Sequence, residues 1–567
     1  MPQYEFFVAG SLEKVFPCRR PAALDTALSG LQSEVLSFQI VYRGEDVAPG
    51  TPLQEFRLSV SRAPGAVRMR HVRLVPGEFP VWTNCDENYL TQEPGLFPDL
   101  LEPCENGLVR PMPNQYRSVW VDIDLTNAQP GRYSLSLSAA ADRVTHIPDG
   151  TEHENGGIAA QDWHVHLPLT VVGAVLPPQT LLHTEWFHSD SLLAYYHIAM
   201  DSPDYWRIAE NFIHYAACEC GINMLLTPVF TPPLDTAFGR RRETVQLVGI
   251  RRDGERYTFD FSRLHRWCGL CQKHGIRCLE IAHLFTQWGA YATPAIFAEE
   301  NGEVQQIFGW DIPAASPVYR AFLQQFIPAL RTALEADGYG SDKLYFHISD
   351  EPNEQHLESY QAARAQVIDL LEGCHVMDAL SSYEFYQRGL VATPVCADNH
   401  IQTFIDHKVP DLWTYYCCAQ SHDVPNRFFA MPSARNRIMG VLLYLYDIKG
   451  FLHWGFNFYH TQFSLHPVDP YRCTDAGCAF PSGDPFLVYP AADGTARGSL
   501  RNAVQMQGFA DMRALQKLES LAGRSFTESL IREAAGGSLP TFQSYPHSAR
   551  FLYRLRAKVN QEIASRA

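Results

Sequence analysis

Basic residues are scarce in this chain of 567 residues: 46 Lys and Arg stand against 62 Asp and Glu, a formal charge of −16. With no cationic surplus to neutralise phosphates, nucleic acid and anionic membrane are excluded as partners. The first ten residues, Met1-Pro-Gln-Tyr-Glu-Phe-Phe-Val-Ala-Gly10, lack a positively charged start followed by a long apolar segment, so no signal peptide is expected. No uninterrupted apolar stretch reaches the length needed to span a bilayer. The 14 Cys follow no framework spacing, which predicts reduced thiols and a cytoplasmic setting. Gly-x-Ser-x-Gly is missing, which weighs against a serine hydrolase of the α/β type, and no Gly-rich phosphate loop is present.

The local exceptions read blandly. Arg240-Arg-Arg242 is expected to be a solvated loop. Cys268-Gly-Leu-Cys271 lies in a helical pattern ending at Gly275; zinc would need Cys278 or His274 as well, but no second CxxC follows, so buried helix cysteines are expected. Cys473 and Cys478 flank a loop and read as an exposed thiol pair.

Aromatics, by contrast, are plentiful, with 26 Tyr and 10 Trp. Their apolar faces and polar edges suit flat ligands such as sugar rings, although large cores also bury many of them. The length predicts two or three domains. From the start to residue 175 the segments 36–42, 56–60, 118–125, 133–138 and 164–172 are short strands, most of them alternating, which predicts an N-terminal antiparallel β-sandwich. Leu176-Pro-Pro178 then makes a stiff hinge.

Beyond the hinge, apolar runs at 181–187, 224–230, 277–284, 343–349, 375–381, 393–396, 412–417 and 451–456 alternate with helical patterns, the last of them at 500–521. Eight strand-helix repeats over 179–524 describe a (β/α)8 TIM-type barrel, followed by a helical C-terminal extension at 525–567. The segments 232–260, 288–316 and 461–495 follow strands and are expected as enlarged loops on the catalytic face.

In a barrel, strand ends converge on one pocket. The ends here supply Glu185, Trp186 and His188; Thr227; His283 and Trp288; Asp350 and Glu351; Tyr383 and Glu384; Asp398 and Asn399; Tyr415 and Tyr416; Trp454 and Asn457. Acids, aromatics and amides with few bases point to glycoside chemistry. The run Leu344-Tyr-Phe-His-Ile-Ser-Asp-Glu-Pro352 carries two adjacent carboxylates, whereas an ordinary glycosidase sets its pair on opposite sides of the scissile bond. Neighbouring acids act from one side. That suits a substrate whose own 2-acetamido oxygen attacks the anomeric carbon, one acid holding the acetamido N–H and the other protonating the leaving oxygen. In a competing reading one acid merely caps the following helix, for which Asn353 is also available.

Phe346-His-Ile-Ser-Asp-Glu-Pro352, Phe451-Leu-His-Trp-Gly-Phe-Asn457, Gly483-Asp-Pro-Phe-Leu-Val-Tyr-Pro490 and Ser499-Leu-Arg501 resemble the glycoside hydrolase family 123 and DUF4091 group over roughly the last two thirds of the chain. The resemblance implies a retaining β-N-acetylgalactosaminidase-like enzyme with no metal or other cofactor, Asp350 polarising the acetamido group and Glu351 serving as general acid/base. Its partner would be a glycan or glycoconjugate fragment ending in N-acetylhexosamine, and homo-oligomerisation stays open. For such a site Tyr415 or Tyr416 is the candidate hydroxyl on the acetamido oxygen, only one of the two being able to point inward. Trp454 is expected to floor the sugar, with Asn457, Trp288, Tyr383 and Trp186 around it, and His347 to be a core histidine satisfied by hydrogen bonds. Three alternatives are carried: a two-carboxylate glycosidase acting on another sugar, a non-catalytic carbohydrate-binding protein, and a metal hydrolase built on His183, His188, His283, His347 and His453.

Overall fold

A computed structural model describes residues 3–45, 53–145, 152–154 and 162–567. Met1 and Pro2, part of the run used above, lie outside the described residues. The N-terminal region is a pair of sheets packed face to face, with Phe38, Ile40, Val119 and Val121 of one sheet meeting Phe56, Leu135, Leu137 and Leu169 of the other in a single buried cluster. The pairing is antiparallel except between Leu28–Gln32 and Trp163–Val175, which run parallel. The first of these sheets is completed from far along the chain: Ala496–Ser499 pairs with Gly95–Pro103, and Tyr489–Pro490 pairs with Ala496–Ser499 in turn.

The C-terminal region is organised by eight parallel strands: β1 (Leu182–Glu185), β2 (Met224–Thr227), β3 (Cys278–Ile281), β4 (Leu344–Phe346), β5 (His375–Leu380), β6 (Thr393–Ala397), β7 (Trp413–Tyr415) and β8 (Gly450–His453). They are hydrogen-bonded in the order β1-β8-β7-β6-β5-β4-β3-β2, so the sheet curls until its first two strands face each other. Asn223 bridges the remaining seam. Its N–H donates to His183 O at 3.1 Å, and its side chain accepts from His183 N at 2.9 Å and donates to Leu181 O at 2.9 Å. The sheet is nearly a closed barrel.

Alternation along the strands sorts side chains between two cores. Met224, Leu226, Cys278, Tyr345, Met377, Val395, Trp413, Tyr415 and Leu452 fill the inside. Leu225, Leu279, Phe346, Val376, Cys396 and Phe451 face outward into the large cluster shared with the helices. Gly450 makes room for this packing, because a Cβ there would stand 1.9 Å from the Trp413 ring. Helices follow the strands, among them Pro203–Cys220, Ser262–Lys273, Pro317–Ala336, Leu357–Ala365 and the long Leu500–Ala522. Pro203 and Pro317 open their helices, where the missing N–H costs nothing, and Ser202 caps the first by accepting from Tyr205 N at 3.2 Å.

Two expected loops have structure of their own. Gly249–Asp253 and Arg256–Asp260 form a hairpin, Ile296–Glu300 and Glu303–Phe308 a second, and the two join in one four-stranded sheet. The predicted helix over 354–371 is broken into a helix, Leu357–Ala365, between two short 3₁₀ turns. Helix Ala549–Arg566 ties the two regions together: Arg556 pairs with Glu34 at 2.5 Å and with Asp511 of helix Leu500–Ala522 at 3.0 Å. Among the described residues no helix is long and apolar enough to cross a membrane.

Candidate active site

Beyond the C-terminal ends of the parallel strands lies a cavity of about 650 Å³, partly open to solvent, into which Asp350, Glu351, Trp186, Trp288, Tyr415 and Trp454 all project. β4 ends at Phe346, and the following residues are held by their backbone rather than by a ladder. Asp378 Oδ1 accepts from the N–H groups of Ile348 and Ser349 at 3.1 and 3.3 Å, Ser349 Oγ donates to Thr286 O at 2.9 Å, and Asp350 O accepts from Trp288 N at 3.0 Å. The helix cap that follows is Asn353, whose side chain accepts from Gln355 N at 3.0 Å. Neither acid is consumed as a cap. Glu351 has φ 43° and Trp288 φ 54°, a left-handed backbone that costs a non-glycine residue about 1–3 kcal/mol and collects at ligand sites.

Burial pushes the Asp350 carboxyl well above the usual range, and the charge of Glu351 pushes it further. Glu351 is also raised by burial, although Tyr415 counteracts this by donating its hydroxyl to Glu351 Oε1 at 2.7 Å. Two adjacent carboxyls in one cavity resist ionising together, and each raises the cost of charging the other. Behind them His347 is clamped between Glu280, with Nε2 to Oε1 at 2.6 Å, and Asp378, with Nδ1 to Oδ1 at 3.2 Å. Burial alone would lower this imidazole, but the two carboxylates outweigh it and raise its pKa to about 10, so it is a cation. Glu280 also accepts from Trp186 Nε1 at 2.6 Å, which fixes that ring in the cavity wall. Trp454 is fixed likewise, donating to Asp484 Oδ2 at 2.9 Å.

Of the tyrosine pair, Tyr415 faces the cavity, but its hydroxyl partner is Glu351. Tyr416 does not line the cavity: strand alternation turns it outward onto Phe451 and beneath Arg427. Asn457 does not line it either. It is fully buried and clips His188 by both backbone groups, accepting from N at 2.8 Å and donating to O at 3.1 Å. Tyr383 also lies away from it, because Ala379, one residue before the end of β5, is in the cavity wall and the chain then turns out into helix Tyr383–Gln387, where Tyr383 stacks on His407 at 4.4 Å. Trp288, at 41 % exposure, stands at the mouth.

The histidines do not converge. His183 faces outward to Glu185, His188 bonds Arg242 and Trp454 O, His347 stacks on His283 at 4.1 Å, and His453 accepts from Gly455 N at 2.9 Å. Among the described residues the group with metal-compatible spacing is Asp86, His422 and Asp423 on the surface, and there Asp86 is already paired with Arg435 at 2.7 Å. Arg242 is not solvated as expected: it is buried and bidentate to Asp190 at 2.7 and 3.0 Å, because that loop folds back over the end of β1.

Several cavity residues escaped the sequence reading. Asp235, Gln287, Gln462 and Phe480 come from loops without periodicity, and Cys417 and Cys418 follow β7. Glu280 and Asp378 carried a readable signal, since each is an acid inside an apolar strand run. Asp235 has φ 39°, accepts from Phe463 N at 3.0 Å, and is raised by burial to about 6 against the charge of Arg242.

Comparison with known proteins places this site in a class. Residues 186–518 match the model of the glycoside hydrolase 123 catalytic domain, so the chain is a glycoside hydrolase and belongs to family 123. The fold agrees over nearly its whole length with a family 123 glycoside hydrolase from Clostridium perfringens, studied for glycolipid glycan hydrolysis: 15% identity, TM-score 0.71, covering 99% of this chain and 98% of that one. Likenesses to the Clostridium thermocellum xylanase 10B modules (8% identity, TM-score 0.30, 90% and 96% covered) and Ruminococcus gnavus β-glucuronidase (9%, 0.30, 90% and 97%) are too distant to carry an argument. Among curated proteins none matches the sequence.

Proposed function

We propose that this family 123 enzyme is a retaining exo-glycosidase that removes a terminal β-linked N-acetylhexosamine, N-acetylgalactosamine in the first place, from a glycan or glycoconjugate. The observation carrying this reading is that Asp350 and Glu351 are consecutive residues of one cavity, neither of them spent on a helix cap or an arginine. In this mechanism the acetamido oxygen attacks the anomeric carbon. The Asp350 carboxylate accepts the acetamido N–H and stabilises the positive charge of the oxazolinium ring, which returns its proton affinity to the ordinary range. Glu351, raised by burial, delivers a proton to the departing oxygen and then takes one from the incoming water. Tyr415 steers Glu351, while Trp186 and Trp454 wall the ring within a (β/α)8 barrel.

Incubation with aryl β-GalNAc, β-GlcNAc and the corresponding glycosides lacking the acetamido group tests this. Cleavage of an N-acetylated glycoside, with inhibition by a thiazoline analogue of the oxazolinium ring, is expected. Cleavage of only the non-acetylated glycosides would replace the reading with a two-carboxylate mechanism on another sugar.

A further inference from the structure

The cavity has a second polar pole that the mechanism leaves unused. Asp235 and Gln287 both line it, on the loops that follow β2 and β3. They are locked to each other, the Asp235 N–H donating to Gln287 Oε1, and this bond fixes which end of the Gln287 amide is which. Gln287 is 4% exposed, and its Nε2 has no hydrogen-bond partner among the described residues. Asp235 Oδ2 accepts from Phe463 N, and Oδ1 has no partner among the described residues. Its natural counter-ion is occupied: Arg242 gives its guanidinium to Asp190, to His188 and to Leu234 O. A half-buried carboxylate without a cation, beside a buried amide N–H without an acceptor, costs folding energy that an incoming ligand can relieve.

The loop geometry keeps the pair in place. Asp235 O accepts from Ser464 Oγ at 2.7 Å, and Ala237 N donates to Phe463 O at 3.1 Å, so the segments around 235 and 463 move as one. Phe463 in turn meets Trp288 edge to face at 5.9 Å.

An acceptor and a donor side by side match a group that both donates and accepts, which is a hydroxyl. Resting on the glycosidase reading above, we infer that Asp235 and Gln287 are the specificity-determining pair that reads one ring hydroxyl of the terminal sugar, the hydroxyl donating to Asp235 Oδ1 and accepting from Gln287 Nε2. The charge-assisted bond to Asp235 supplies the larger share. A sugar lacking that hydroxyl would leave both groups unpaired in the cavity.

The test compares wild type, Asp235→Ala and Gln287→Met on the parent aryl glycoside and on its 3-, 4- and 6-deoxy analogues, all prepared on whichever sugar the wild type cleaves. Wild type is expected to lose roughly 10²–10⁴-fold in kcat/KM on one deoxy analogue. Asp235→Ala should lose a similar factor on the parent and almost nothing further on that analogue, and Gln287→Met should repeat the pattern at smaller size. A penalty equal on parent and all analogues, in either variant, assigns the pair a purely structural role and overturns the inference. Because Gln287→Met conserves volume, it decides the question even where Asp235→Ala does not fold. Failure of the N-acetylhexosaminidase reading shows separately, as a wild type that cleaves only glycosides without the acetamido group.

Discussion

The molecule buries acids in two ways. Away from the cavity, four buried carboxylates are paired with arginine: Glu185 with Arg427 at 2.7 Å, Asp190 with Arg242 at 2.7 Å, Asp99 with Arg501 at 2.8 Å and Asp511 with Arg437 at 2.7 Å. Burial opposes ionisation of Glu185, but the charge of Arg427 and the bond with His183 outweigh it and hold the carboxyl well below the usual range. In the cavity no arginine among the described residues pairs with an acid, and Asp350, Glu351 and Asp235 are all raised. Paired acids are scaffold, and unpaired acids are where protons and ligands can be exchanged. Asp398 is buried outside the cavity with neither carboxyl oxygen hydrogen-bonded among the described residues, and burial pushes its carboxyl up.

Exchanging the charges breaks this comparison most visibly in the cavity. Glu351→Gln should lower kcat/KM by ~10²–10⁴-fold on glycosides with poor leaving groups and far less on activated aryl glycosides, while Asp350→Asn impairs both kinds. Melting temperatures of both variants should stay at or above that of wild type. Full activity of Asp350→Asn on activated substrates would remove it from the mechanism.

On the outside the same kind of change is a stability event. Arg427→Met removes the arginine from buried Glu185 and leaves it only His183 and Gln505, and urea unfolding should record a loss of ~3–5 kcal/mol; adding Glu185→Leu should recover most of it, because the cost lies in a buried charge without its cation. A small loss in the single variant would mean that water reaches Glu185.

The smallest effect sharpens the contrast through pH. The Asp235 carboxyl is raised to about 6, so its favourable contribution is present below the unfolded pKa near ~4 and is lost as pH rises through 6. Asp235→Asn should therefore raise the melting temperature more at pH 7.5 than at pH 4.5. An equal shift at both would show that the folded and unfolded carboxyls titrate alike and that burial does not raise Asp235.

The repeating part of this architecture was legible, because a parallel strand buried on both faces is a short apolar run and a helix follows each one at a readable spacing. The acids at 350 and 351 stood out for the same reason, being charges where an apolar run stops. Tyr416, Asn457 and Tyr383 misled because a strand-end position does not say which way a side chain points; alternation, a backbone clip and a turn into a helix decided these three. Asp235 and Gln287 were invisible, since loops converge only in three dimensions. The two insert hairpins were missed because their alternation is brief and mostly exposed, as in Glu303–Phe308.

Arg501 has a consequence for how the chain is made. It grips Asp99 while donating to the backbone of Gly483 and Phe486, and Asp99 also accepts from Tyr489 at 2.6 Å. The loop that carries Asp484, and through it Trp454, is thus pinned between the first hundred residues and the last seventy. During synthesis strand Gly95–Pro103 can pair at once with Ala66–Gly77, but its other edge waits for a partner that emerges about four hundred residues later, so the cavity is among the last features to set, and such non-local closure is slow. A ribosome-bound chain halted short of Ser499 would carry Asp350 and Glu351 and still lack a finished cavity.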